Sequence, residues 1–439
     1  MKNAIKKEYA KYVGLSVVGM VCVSCYVFVD TFFIAMALES DGLTALNLSI
    51  PVFSIVHGIG LMISIGGATQ YTILKNKGED FNTIFTHSLV VAGLAAIVFM
   101  IVGLFFTTPL AKTFGAAGTI LPMVTAYIQT ILYFSPVLIL NILLIVFIRN
   151  DHNPKLAMAA MVVGSFSNIV LDYIFLFPLS MGMFGAALAT GLSLTLSVAV
   201  LSLHFLTKNN QLHLRKCKLK IKQMMNIMPL GFSAFINELA FAVSLIVFNL
   251  IILGIEGNIG VAAFGIVANI AFVVIAMFTG VAQGIQPLIS KGYGSGDRVL
   301  VKLILQYAII TVVSLGLAIY GIAYWKTNAI VAAFNNEANV VLAFLAANGI
   351  RIYFIGLIFA GVNIVVAAFF SAVDRPKMAV TISILRSFAV MVPMALMLSA
   401  MFGMNGVWAS FVSTEFIVSM LSILFLYMKF KKIGDFKKI

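Results

Sequence analysis

The sequence predicts an all-α integral membrane protein: twelve transmembrane helices in two six-helix lobes related by a parallel pseudo-two-fold repeat. Three observations predict it. The 439 residues are 62% hydrophobic and 10% charged, with a mean hydropathy of +1.09, a balance that soluble domains do not reach. Apolar segments of about 20 residues or more, enough to cross a ~30 Å hydrocarbon core, recur along the whole chain. Short motifs from the first half return in the second at a nearly constant offset.

In order, the apolar segments fall near 12–38, 43–70, 84–108, 121–148, 156–178, 184–206, 224–253, 260–287, 299–323, 339–372, 377–400 and 405–428. No interval between them is long enough for a soluble domain. The first segment is too long for a signal-peptide core and has no convincing cleavage site after it, so it is expected to remain as a span. Lys and Arg separate the segments unevenly. Twenty-four of the 28 lie before the first span, after the last, or in alternate loops, and the opposite loops hold only Lys112 and Lys326. This is the positive-inside pattern, which places both termini in the cytoplasm of a multi-pass inner-membrane protein. It also accounts for the net charge of +13 as topology and lipid-headgroup attraction rather than nucleic-acid binding.

The halves repeat. Gly182-Met183-Phe184-Gly185 returns as Gly403-Met404-Asn405-Gly406, and Asn153-Pro154-Lys155 as Arg375-Pro376-Lys377. Asn141 matches Asn363, while Gln70, Lys75 and Gly78 match Gln286, Lys291 and Gly294. Six spans per half is an even number, so both halves enter from one side, with a cavity expected between them. The expected division is 1–210 for the first lobe, 211–223 for a basic cytoplasmic linker and 224–439 for the second lobe.

Charges inside spans are the chemical signal, because each costs roughly 2.5–3.5 kcal/mol at the bilayer centre. Four acids lie there: Asp30, Asp172, Glu238 and Glu415. Asp172 stands nine residues before Met181, at the turn between spans five and six, and Thr190 nine after it. Asp30 stands nine before Glu39, at the first turn. At 1.5 Å per residue all three are about 13 Å below their turns. Asn168 shares the face of Asp172, one helical turn deeper. The four can converge as an all-oxygen site for a shared proton or for Na⁺; the alternative is that Asp172 bonds Asn168 and ties helices together. The second half lacks this acid, since the matching position is Met394, and that asymmetry favours function. Glu238 and Glu415 either face a central cavity and attract a cationic cargo or pair with Arg351 or Arg386. Gln283, Asn141 and Asn363 complete the candidate cavity set.

Other chemistry has little support. The histidines at 57, 87, 152, 204 and 213 show no metal-ligand spacing. Cys22-Val23-Ser24-Cys25 reads as small packing residues within a span, and Cys217 as a reduced loop thiol. No Walker A motif or Gly-x-Ser-x-Gly elbow is present, so no enzyme and no bound cofactor is expected.

Val29-Asp30-Thr31-Phe32-Phe33-Ile34, Gly185-Ala186-Ala187-Leu188-Ala189-Thr190, Ala282-Gln283-Gly284-Ile285-Gln286-Pro287 and Asn168-x-x-x-Asp172 together resemble the multidrug and toxic compound extrusion (MATE) family, in its bacterial DinF/MepA-like branch. The resemblance implies a monomeric antiporter that exports drugs, dyes and toxic organic cations in exchange for H⁺ or Na⁺, with membrane lipids as its surroundings. It also implies a first-lobe coupling site at Asp30, Asn168, Asp172 and Thr190. An acid that another branch carries in span ten is absent here, with Asn363 nearest. The rival readings are a lipid or lipid-linked oligosaccharide flippase of the same superfamily and, on architecture, a major-facilitator transporter.

Overall fold

A computed structural model describes residues 2–81, 83–208, 210–216, 221–335 and 339–432; Cys217 lies outside the described residues. It is helical throughout, with α1 (Lys2–Lys77), α2 (Ile84–Phe105), α3 (Thr107–Thr113), α4 (Ile120–Tyr133), α5 (Ser135–Asn150), α6 (Pro154–Leu176) and α7 (Gly182–Ser202) in the first half. The second half contains α8 (Ile221–Gly294), α9 (Arg298–Trp325), α10 (Thr327–Phe334), α11 (Val340–Ala372), α12 (Pro376–Ile384) and α13 (Met391–Lys432). Counting the bent α4–α5 pair as one, nine helical stretches among the described residues are long and apolar enough to span a membrane. Three of these fold back at a single residue, at Glu39, Gly257 and Gly403, and so contribute two spans each. The result is the twelve-span protein the sequence predicts.

The three corners share one conformation: Glu39 at φ 53, ψ −144, Gly257 at φ 62, ψ −152 and Gly403 at φ 56, ψ −135. Positive φ with ψ near −145° is a region that glycine enters freely and other residues enter only at a cost. Gly182 takes φ 60 between α6 and α7. Glu39 and Gly257, and likewise Gly182 and Gly403, sit at matching places in the two lobes.

Span four is not the single helix expected over 121–148. It bends by 52° between α4 and α5. Pro136 has no N–H to return to the Leu132 carbonyl, and the Ser135 hydroxyl takes that carbonyl instead at 2.7 Å, so the ladder breaks here. Span eleven is also interrupted. A π turn over Leu385–Ala389, closed by Val390 N to Leu385 O at 2.9 Å, separates α12 from α13.

Buried apolar side chains form two clusters, one within 34–212 and the other within 248–426. Ile5, Tyr9, Tyr12 and Val13 belong to the second cluster. The first helix therefore starts against the second lobe and finishes in the first. The lobes meet along α1 and α8, and the contact is backbone to backbone on the side that carries the termini. A Cβ on Gly66 would collide with the Ile227 carbonyl oxygen, and one on Gly231 with that of Met62. Only glycine permits this approach.

Candidate functional site

Asp30, Asn168, Asp172 and Thr190 come together in the first lobe, all buried, with Asn168 and Asp172 fully enclosed. Counting from the corners places them at one depth because those corners are single residues or short turns. The Asn168 amide donates to the Thr190 hydroxyl at 3.5 Å, and that hydroxyl donates to the Ala186 carbonyl at 3.2 Å. The carboxyls of Asp30 and Asp172 lie within hydrogen-bonding reach of each other. Yet among the described residues no N–H or O–H donates to either Asp172 oxygen, to Oδ1 of Asp30 or to Oδ1 of Asn168. Four buried acceptor atoms of these three side chains thus have no donor among the described residues. In a dry site two such carboxyls do not both stay ionised unless a proton or a cation joins them. Asp172 does not simply tie itself to Asn168.

The Tyr26 hydroxyl lies within electrostatic reach of Asp30, Asp172 and Glu238. Tyr127 lies within reach of the two aspartates as well. Neither tyrosine stands out in the sequence, though Tyr26 is one helical turn from Asp30.

The candidate cavity residues separate. Glu238 is half-buried on the inter-lobe face and pairs with neither arginine; its Oε1 lies 3.2 Å from Nδ1 of His57 across the lobe boundary. Glu415 is buried, and it pairs with Arg386: Nη2 and Nε of the guanidinium donate to Oε1 at 2.7 and 3.1 Å. Asn363 donates to its Oε2 at 2.7 Å and accepts from Ser422 at 3.0 Å. Glu415 and Asn363 therefore form a closed network inside the second lobe rather than a cavity wall. Asn141 is buried in the first lobe and donates to Ser197 at 2.7 Å. Gln283 accepts from Arg149 at 2.9 Å on the face carrying the termini. Arg351 lies exposed, its guanidinium 5.8 Å from the Tyr324 ring.

That face is closed. Besides Arg149 to Gln283, Asn150 donates to Gln286 at 2.8 Å, and Gln286 to Thr69 at 2.8 Å. Lys291 meets Glu8 at 3.3 Å and Tyr12 meets His152 at 3.5 Å. Beside it, buried Asp151 gathers His204 Nε2 and the Gln211 amide, each at 2.9 Å, and Lys75 at 3.5 Å. Burial alone would push the Asp151 carboxyl up, but the hydrogen bonds from His204 and Gln211 and the Lys75 charge outweigh it and hold it below the usual carboxylate range. The cluster pins the linker to the first lobe. No spacing in the chain signals it, because its members come from four separate segments.

The MatE family model matches residues 16–174 and again 233–397. The chain belongs to the MatE family. The two matches are offset by nearly the same interval at their starts and at their ends, so the repeat read from short motifs is the family unit occurring twice. Multidrug export protein MepA of Staphylococcus saprophyticus is 24% identical over 97% of this chain and 94% of its own length. MepA of Staphylococcus aureus is 24% identical over the same shares. Among solved structures, a multidrug resistance MATE family transporter in its outward-facing conformation superposes with a TM-score of 0.92 at 21% identity, over 98% of this chain and 97% of that one. A MOP superfamily transporter from Pyrococcus furiosus, described as having a binding pocket of reverse polarity, superposes at 0.90 with 20% identity, over the same shares. This MatE chain therefore has the MATE transporter fold, with twelve spans in two lobes.

Proposed function

We propose that this MatE protein is a secondary multidrug antiporter that exports cationic or amphipathic organic compounds in exchange for H⁺ or Na⁺ by alternating access. One observation carries the reading: buried Asp30 and Asp172 lie within reach of each other, and among the described residues nothing donates to either Asp172 oxygen or to Oδ1 of Asp30, a place that a proton or a small cation would complete. Asn168 supplies a further oxygen for Na⁺, and Thr190 orients Asn168. Loading the site joins two carboxyls on spans one and five. Unloading leaves them repelling, so the two states of the lobe bind the ion with different affinity, as coupling requires.

The names of the MepA relatives, multidrug export proteins, support drugs as cargo; we extend the class to dyes and toxic organic cations. Lys and Arg crowd the closed face, which we place in the cytoplasm together with both termini; the cavity then opens outward. We also propose that the lobes divide at the linker, as 1–210 and 224–439, with residues 5–13 packing across. The protein is proposed to work as a monomer in the cell membrane, without a bound cofactor. Anionic lipid cargo would need free bases in the cavity, but Arg386 is locked onto Glu415 and Arg351 lies against Tyr324. This disfavours the flippase reading. The test is ethidium transport in proteoliposomes under separate pH and Na⁺ gradients. Uptake driven by one gradient and lost in Asp172→Asn is expected; uptake independent of both gradients would overturn the proposal.

A further inference from the structure

His57 and Glu238 form an acid–base contact between the lobes at mid-span depth, and the structure makes it an unusual one. His57 lies on α1, midway along the span that follows the corner at Glu39, and Glu238 on α8, at a similar distance before the corner at Gly257. Their side chains keep 32% and 28% of their exposure, unlike Glu415, which is 2% exposed and held by three donors. Nδ1 lies 3.2 Å from the carboxylate oxygen, and among the described residues no second donor holds that carboxylate as Asn363 holds Glu415. The pair is a short, half-exposed contact that solvent can reach, and such a contact is replaceable. The inter-lobe hydrogen bonds made by Tyr9, Arg149, Asn150, Gln286 and Lys291 all lie nearer the closed face. His57 and Glu238 are thus the floor of whatever space opens on the far side.

The surroundings describe a ligand. The imidazole stacks on Phe53 with ring centres 5.7 Å apart and planes 12° apart. Phe235 packs beside Gly58 so closely that a Cβ there would lie 2.9 Å from its ring and 3.4 Å from Glu238. A protonated imidazole is itself a flat, delocalised, weakly hydrated organic cation. Here it lies between an aromatic face and a carboxylate, the arrangement that binds such cations. We propose that His57 is a built-in cation occupying Glu238 when no cargo is present, and that a planar organic cation binds by displacing it and taking over both the carboxylate and the Phe53 face. The proposal rests on the export reading above and names the cargo class and the residue that competes with it.

Two consequences follow from the geometry. Cargo binding exchanges an inter-lobe contact for a cargo contact, so arrival of cargo releases α1 from α8 at mid-depth. Binding also depends on pH through His57, because the imidazole competes as a cation only when it is protonated. The imidazolium competes for Glu238, so lowering the pH weakens cargo binding, and deprotonation frees the acid. Tyr26 also faces Glu238, together with Asp30 and Asp172. Those carboxyls add their own pH dependence, so the diagnostic is the difference between proteins that differ only at residue 57.

The experiment measures ethidium binding to the full-length protein in lipid nanodiscs by fluorescence anisotropy, between about pH 5.5 and pH 8. Wild-type affinity is expected to rise about tenfold across this range. His57→Gln should bind at least as tightly at the acid end and lose most of that rise. His57→Lys, a cation at every pH, should bind about tenfold more weakly at the alkaline end. Glu238→Gln should bind weakly and erase the difference between the two His57 variants. Thermal unfolding of each protein checks that it is folded, and the conservative His57→Gln carries the test should the lysine variant misfold. Retention of the wild-type pH rise in His57→Gln, with binding intact, would overturn the role of His57 alone. Failure of the folded wild-type protein to bind ethidium at any pH would overturn the cationic-cargo reading along with it.

Discussion

The two acid constellations inside the spans have opposite chemistry, and this separates their roles. Among the described residues nothing donates to either Asp172 oxygen or to Oδ1 of Asp30, whereas Glu415 receives Arg386 twice and Asn363 once. Amidating an unsatisfied acid removes a desolvation cost, so Asp172→Asn is expected to keep or raise the thermal midpoint while lowering gradient-driven transport at least tenfold. A fall in stability matching the loss of transport would assign Asp172 to structure. Arg386→Met does the reverse: it leaves Glu415 buried without its cation, at a cost of about 3–5 kcal/mol. Adding Glu415→Gln should recover a large part of that loss, because the orphaned charge goes with it. Denaturation in detergent of the two single variants and the double variant measures the coupling. Additive effects would show that the ion pair contributes nothing of its own.

At the scale of elements, the corners explain what can be read from sequence. Counting from turns places Asp30, Asp172 and Thr190 at one depth, and it succeeds because Glu39 and the turn at Ser180–Gly182 reverse the chain within a few residues. The bend at Phe134 escapes the same reading, since Pro136 sits inside an uninterrupted apolar run and a kink leaves hydropathy unchanged. Helix rotation escapes it too. No periodicity relates His57 to Glu238 in the other half of the chain, because which faces meet depends on how the two lobes pack. The corners also carry an expectation of their own. Glu39 adopts φ 53, ψ −144 where the equivalent corner has Gly257, so Glu39→Gly should relieve strain and stabilise the protein by about 1 kcal/mol. An unchanged or lower thermal midpoint would mean that the Glu39 side chain contributes more than its backbone costs.

At the scale of the molecule, the face carrying the termini is closed in two layers, an outer polar one and an inner one of bare backbone. The polar layer has a pH signature. The Asp151 carboxyl is held below its ordinary value of 3.8, so its stabilisation is present above that value and is lost as the pH falls below it. The wild-type advantage in thermal midpoint over Asp151→Asn should shrink as the pH drops through that acid range and stay flat above it; an advantage that survives at the lowest pH would contradict the assignment. The backbone layer admits a sharper test. Gly66 and Gly231 each meet a carbonyl oxygen where a Cβ would stand, and a carbonyl within a helix cannot rotate aside as a side chain would. Gly66→Ala or Gly231→Ala must therefore push α1 and α8 apart, at a cost typical of overpacking, about 1–3 kcal/mol. That penalty falls on the closed arrangement alone, so it biases the protein toward separation at this face and exposes Thr69, which is fully buried there and bonded to Gln286. In a Thr69→Cys background, a membrane-impermeant maleimide applied from the terminal side should label the alanine variants several-fold faster than the parent. Equal labelling rates would show that the lobes part by bending around these glycines, and that the seal lies in the polar layer instead.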